Sequence, residues 1–263
     1  MHPITESINE QALSTLIPAL RAATQQSERA SLTKDFIAQQ DGCIREIHDL
    51  GAGGLEVAGA RSCMMDNVIR AAFSTASERV GIETTTIAVT SVGGYGRGAL
   101  NPGSDIDLLF LLPVNSTKIS ALTKELVQEI LYLLWDTGFK VGHATRSINE
   151  CLTEAKSEQQ SKTALMDTRL IAGDTTLVTD FIRRFQRDCI RKNPDAFFEL
   201  RSIDIRSRHR KYSHTVFLQE PHLKESCGGL RDYHNIIWVA QAERGTNDLR
   251  DLVSEKILTT IAY

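Results

Sequence analysis

Two aspartates with one residue between them, Asp105 and Asp107, stand at the head of an apolar run, Leu108-Leu109-Phe110-Leu111-Leu112. In an extended strand, residues i and i+2 share a face about 6.5–7 Å apart. The spacing therefore aims both carboxylates the same way and turns Ile106 towards a core. Carboxylates held side by side repel unless a cation sits between them. An all-oxygen pair of this kind suits a hard divalent ion such as Mg²⁺, its shell completed by water and substrate phosphates. Shortly before the pair runs Gly93-Gly94-Tyr95-Gly96-Arg97-Gly98. Glycines carry no Cβ, so the N–H groups of Gly93 and Gly94 can approach a phosphate chain closely. The Ser104 hydroxyl and the Arg97 guanidinium stand ready for further phosphate oxygens, with a structural ion pair as the other role open to Arg97. The chemistry this points to is the holding of a metal–nucleoside triphosphate.

These groups need a small sheet to position them. Thr84–Val92 is rich in β-branched residues and reads as a strand entering the glycine turn. Asp105–Leu112 is a second strand, ended by Pro113, and Phe139–Arg146 is a third. Between the last two, Lys118–Thr137 reads as an amphipathic helix using Leu122, Leu126, Ile130, Leu133 and Leu134. Ahead of the sheet, residues 5–80 read as helical. Leu13, Leu16, Ile17 and Leu20, then Phe36, Ile37, Ile44, Ile47 and Leu50, recur at helical spacing, and Gly51–Gly54 makes a turn. A helix over 55–80 follows, with Val57, Met64, Met65, Val68, Ile69 and Phe73 as its buried face. His48-Asp49 on its own reads as a surface pair.

Behind the sheet, helical segments are expected at 147–156, 160–172, 175–192 and 195–212, with a final pair after Gly228. The fold class is therefore α+β. A helical region spans 1–80, a small mixed-sheet core 81–150 and a helical domain 151–263. The chain ends in an unfinished amphipathic helix, as a fragment of something longer would. Arg183, Arg184, Arg187, Arg191 and Lys192, then Arg201, Arg206, Arg208, Arg210 and Lys211, read as solvated helix faces, with a basic wall for triphosphate as the sharper alternative.

Composition bounds the rest. The 263 residues are 41% hydrophobic and 24% charged, with a net charge of −3, which gives no basic surface for coating nucleic acid or an anionic membrane. The five cysteines are scattered without a C-x-x-C pair, as reduced cytoplasmic thiols are. No stretch approaches the ~18 continuous apolar residues of a membrane span, and the N-terminus lacks a signal-peptide pattern. Two rival glycine motifs fail. A dinucleotide fingerprint needs an acidic residue about 20 positions on, where Lys118 and Ser120 stand instead. A kinase loop needs later His-Arg-Asp and Asp-Phe-Gly motifs, which do not occur.

Gly93–Gly98 followed by Ser104-Asp105-Ile106-Asp107-Leu108-Leu109 resembles the nucleotidyltransferase core of the bacterial PII-protein uridylyltransferases, members of the polymerase β-like superfamily. A second stretch, Glu220-Pro221-His222-Leu223-Lys224-Glu225-Ser226-Cys227-Gly228-Gly229-Leu230-Arg231-Asp232, resembles that family's Lys-Glu-Gly-Pro-Gly-Gly-Leu-Arg-Asp signature. Leu134–His143 and Thr163–Asp174 match between them, so the resemblance covers about 85 to 245.

The resemblance implies Mg²⁺-dependent transfer of UMP from UTP to a tyrosine hydroxyl of the PII signalling protein, with pyrophosphate released. It also implies a polymerase β-like core followed by a helical domain. The HD hydrolase and ACT domains of full-length relatives do not occur in this sequence, so uridylyl removal and glutamine sensing are not expected of it. A third carboxylate is implied at Glu158, with Asp136 and Asp167 as the other candidates and Asp167 expected to pair with Arg169 or a nearby helix. Lys224 and Arg231 either face the nucleotide or serve packing. Two departures stand out: Ala99 occupies a position where relatives often have Glu, and Ser226-Cys227 replaces Gly-Pro. Two readings stay open beside the enzyme: a catalytically degenerate nucleotide-binding module, and a transferase for another nucleotide or acceptor.

Overall fold

A computed structural model describes residues 3–84 and 87–259. Helix α1 (Pro3–Gln11) runs through a π-helical turn (Ala12–Leu16) into α2 (Ile17–Ala22), followed by α3 (Gln26–Asp49) and α4 (Gly54–Val80). The glycine at each end of α4 has a physical task. Gly53 N–H donates to the Glu56 carboxylate at 2.8 Å, satisfying an amide that the first turn leaves over, and Gly81 closes the helix in the left-handed conformation, φ +73°. The π turn rotates the helix register. Ala12 and Leu16 are buried, whereas Leu13, expected on the apolar face, is exposed. Leu50 and Leu122 are exposed as well, because the first lies beyond the last turn of α3 and the second in the first turn of its own helix.

The sheet begins with β1 (Ala88–Ser91), enters the single turn α5 (Gly93–Gly96) and continues in β2 (Ile106–Leu112). The strand expected at 84–92 is thus shorter, and its Thr85 and Thr86 lie outside the described residues. Next come α6 (Ala121–Asp136), started by Ser120, whose Oγ accepts Thr123 N–H at 3.0 Å, and β3 (Val141–Ser147). Helices α7 (Ile148–Ser157) and α8 (Gln159–Met166) lead to β4 (Arg169–Gly173), then α9 (Thr175–Phe185).

Strand β4 corrects the helix expected over 160–172, which stops at Met166. Leu170 and Ala172 pair with β1 instead, and Gly173, φ +94°, packs its Cα against the Ile87 carbonyl. The order is β3-β2-β1-β4, with β1 antiparallel to both β2 and β4, and β2 parallel to β3. The parallel pair needs a crossover, which α6 supplies. Strand β2 is central, so its apolar run is buried throughout from Leu108 to Leu112.

The chain divides into a unit of 1–154 and 164–181 and a unit of 155–163 and 182–263. In the first, one apolar core joins Ile8, Leu20, Phe36, Met64, Met65 and Ile69 of the N-terminal helices to Val89, Ile106 and Phe110 of the sheet and Leu126 and Ile130 of α6. In the second, a π-helical turn (Gln186–Arg191) precedes α10 (Pro194–Lys211), α11 (Leu230–Arg244) and α12 (Leu249–Ser254). Within that unit Arg201 and Arg208 are buried rather than lying on a solvated face. His48-Asp49 is an exposed surface pair at 3.5 Å.

Candidate nucleotide site at the head of the central strand

Asp105 and Asp107 flank the start of β2, both exposed, while Ile106 between them is fully buried. The alternation is that of extended backbone. Pairing continues past the strand ends, with Val92 N–H donating to the Asp107 carbonyl (3.1 Å) and Ile106 N–H to the Lys140 carbonyl (2.9 Å). The glycine turn is thereby drawn to Asp107, and a Cβ at Gly93, φ +59°, would lie 3.9 Å from Asp107 Oδ2. On the other side Gly142 of β3 stands opposite Asp107 in register. A Cβ at Gly142 would come within 2.5 Å of Asp107 Oδ1, so the carboxylate occupies space that only a glycine leaves open. Sequence reasoning passed over Gly142. Its one signal was a glycine inside a strand pattern, which marks a close approach.

Turn α5 uses Gly96 N–H on the Val92 carbonyl and Arg97 N–H on the Gly93 carbonyl, at 3.1 and 3.2 Å. The amides before them lead the turn, where intrahelical partners do not exist. Tyr95 points inwards, and its hydroxyl donates to Asp66 Oδ1 of α4 at 2.7 Å. Burial, then the Asp66 charge, pushes the Tyr95 phenol well above its usual range. Arg169 of β4 donates to both Asp66 oxygens (2.5 and 3.0 Å), to the Tyr95 carbonyl (3.2 Å) and to the Gly96 carbonyl (3.3 Å). Asp66 was missed as well, and its signal was an acidic residue inside the apolar stretch Met64–Ile69.

Arg97 is held by Asp167 at 2.5 Å, and its guanidinium lies beside Gly94. Asp167, expected to pair with Arg169 or a nearby helix, pairs with Arg97 at the end of turn α5. Arg169 is turned to Asp66, and the Asp167 carbonyl packs against Gly96. Ser104 is exposed in a turn closed by its own N–H on the Asn101 carbonyl (3.1 Å). That loop is anchored through Leu100, whose N–H donates to Ser62 Oγ of α4 at 2.9 Å.

Glu158 belongs to the second unit, where its carboxylate accepts the N–H groups of Gln160 and Ser161 at the start of α8. Burial opposes its charge, but these hydrogen bonds outweigh it and lower its pKa. Asp136 accepts Gln26 Nε2 at 2.8 Å. In the second signature Arg231 donates to Glu225 Oε1 (3.3 Å) and its guanidinium lies 5.6 Å from the Trp238 ring, a packing role, while Lys224 is exposed. Gly228, φ +73°, and Gly229, whose Cβ would meet the Leu223 carbonyl at 2.8 Å, fold that loop tightly. Asp232 gathers it, accepting from Arg208 Nη2 (2.6 Å), His209 Nε2 (2.9 Å) and Gly228 N–H (2.8 Å).

Among the described residues no group of three or more His, Cys, Asp or Glu side chains forms a metal cluster. The donors at Asp105 and Asp107 still fit one class of ion. Two exposed carboxylates at the mouth of a strand suit a divalent cation that takes its remaining ligands from water and phosphate.

Residues 74–170 match the family model of the nucleotidyltransferase domain, and residues 196–263 that of the GlnD PII-uridylyltransferase. Proteins named bifunctional uridylyltransferase/uridylyl-removing enzyme are similar to this chain. That of a Bradyrhizobium sp. is 34% identical over 92% of this chain and 26% of its own length. The Rhodopseudomonas palustris protein is 35% identical over 85% of this chain and 24% of its own length, and the Rhodospirillum rubrum protein 37% over 80% and 22%. The chain thus spans about a quarter of the length of the curated relatives it matches.

Proposed function

Starting from a chain that belongs to the PII-uridylyltransferase family and carries its nucleotidyltransferase domain, we propose that it transfers UMP from UTP to a tyrosine hydroxyl of the PII protein. The acceptor hydroxyl releases its proton to solvent as its oxygen bonds to the α-phosphorus, the bond from that phosphorus to the bridging oxygen breaks, and pyrophosphate leaves with the electron pair. The observation that supports this most is the exposed Asp105/Asp107 pair at the start of β2, with Asp107 set between Gly93 of the glycine turn and Gly142 of β3. Cytoplasmic location accords with the free cysteines, and no helix among the described residues is long and apolar enough to cross a membrane.

Asp105 and Asp107 are the residues that would hold Mg²⁺. When bound there, the ion supplies charge neutralisation on the triphosphate and a lowered pKa for the acceptor hydroxyl. The leading amides of Gly93 and Gly94 donate to phosphate oxygens, and the Ser104 hydroxyl adds another donor. Arg97, already tied to Asp167, places positive charge at the edge of the turn rather than a mobile finger. Chemistry of this class asks the protein for position and charge, not for a covalent intermediate.

The test is Asp107→Asn, assayed by label transfer from α-labelled UTP to PII and by titration with UTP with and without Mg²⁺. Transfer should vanish, while the Tm stays within about a degree, because an exposed carboxylate contributes little to folding. Retained transfer in the variant, or binding without transfer in the wild type, refutes the enzyme.

A further inference from the structure

We propose that Asp66 and Arg169 are positioning residues for the triphosphate, an ion pair between a buried carboxylate and a half-buried guanidinium that holds the glycine turn in the shape that receives phosphate oxygens. The inference rests on the phosphate-binding reading of Gly93 and Gly94.

A four-residue helical turn has no stability of its own, since nucleation costs more than a single turn returns. Glycines add to that cost, having the most backbone freedom to lose. The shape of Gly93–Gly96 must therefore be imposed from outside, and three contacts impose it. The Tyr95 hydroxyl is tied to Asp66, the Asp167 carbonyl fills the place of a side chain on Gly96, and Arg169 holds the carbonyls of Tyr95 and Gly96.

Asp66 stands among Met64, Met65, Val68 and Ile69, all fully buried. An ionised carboxylate there is costly unless partnered, and its oxygens take the Tyr95 hydroxyl and two Arg169 nitrogens. One guanidinium spans the buried carboxylate and both turn carbonyls, a reach that the point charge of a lysine does not have. Arg169 holds the C-terminal carbonyls of the turn, and at the other end Gly93 lies beside Asp107, where a Cβ would stand 3.9 Å from Oδ2. Neither Asp66 nor Arg169 is placed on the phosphates. Their effect passes through the turn.

The test is titration of Mg·UTP into the 263-residue chain and its variants Arg169→Lys and Tyr95→Phe, with Tm measured alongside. Ile8→Val, a core change on α1, serves as the stability control. Arg169→Lys should raise the Kd about tenfold or more, the scale of an outer-shell loss, and Tyr95→Phe several-fold. Ile8→Val should lower the Tm and leave the Kd unchanged. Wild-type Kd values in Arg169→Lys and Tyr95→Phe overturn the proposal, as does an equal loss in Ile8→Val. Should Arg169→Lys fail to fold, Tyr95→Phe decides alone. No binding by the wild-type chain overturns the phosphate site itself, and the clamp with it.

Discussion

The carboxylate of Asp107 fills the space where a side chain on Gly142 would stand, with Oδ1 only 2.5 Å from the position of a Cβ there. The two residues face each other across the parallel β2–β3 pair, so the strand register puts one carboxylate and one missing side chain together. Gly142→Ala should therefore act on Asp107 before it acts on the fold. The obstructing atom is the end of a flexible side chain, which rotates away at a stability cost of about 1 kcal/mol or less. A misplacement on the order of 1 Å at a reacting centre costs about a hundredfold in rate. Transfer kinetics and thermal unfolding of the same preparation check both halves, and an unchanged kcat/KM would remove Gly142 from the site.

Gly96→Ala should behave differently. Its Cβ would overlap the Asp167 backbone carbonyl, which cannot swing aside as a carboxylate can. Overpacking of this kind costs about 1–3 kcal/mol. Urea unfolding should show an earlier midpoint, and nucleotide binding should weaken together with it. A variant as stable as wild type would show that the 167–169 segment does not press on the turn.

Glu150 supplies a pH dependence. Its carboxylate accepts from Ser147 N–H (2.7 Å), Ser147 Oγ (2.7 Å), Ser116 N–H (3.1 Å) and Ser116 Oγ (2.5 Å), tying the start of α7 to the loop after β2. Burial favours the neutral form, but these bonds outweigh it and bring the pKa from 4.5 down to about 2. A depressed folded-state value stabilises above the unfolded pKa and is lost as pH falls, so this contribution fades between 4.5 and about 2. Glu150→Gln should lower stability at pH 7 by about 1–2 kcal/mol. The gap between the two proteins should close on acidification through that window, as followed by unfolding at several pH values. A gap independent of pH would count against the charged hydrogen bonds.

Asp232→Asn should loosen the second unit. The amide keeps the shape but offers a single acceptor oxygen to Arg208, His209 and Gly228 N–H, and leaves the buried Arg208 charge less well matched. The loss should be about 2 kcal/mol, read as faster amide exchange across the loop at 222–232. Exchange at the wild-type rate would mean that Asp232 does not organise the loop.

What the sequence determined by itself was local. The Gly51–Gly54 turn opens a helix, an unbroken apolar run from Leu108 to Leu112 makes a strand buried on both faces, and the alternation at 105–107 leaves two acids exposed around a buried isoleucine. Each follows from backbone geometry within a few residues, so each is legible along the chain. Strand β4 was not, because five residues centred on Ile171 carry too short a pattern to separate strand from helix without the partner β1. The tertiary structure alone decided that Gly142 faces Asp107, that Arg97 goes to Asp167 and that Arg169 reaches Asp66. The last two pairs join residues 70 and 103 positions apart. Contacts that distant depend on how helices and strands pack, and no periodicity within either segment encodes them.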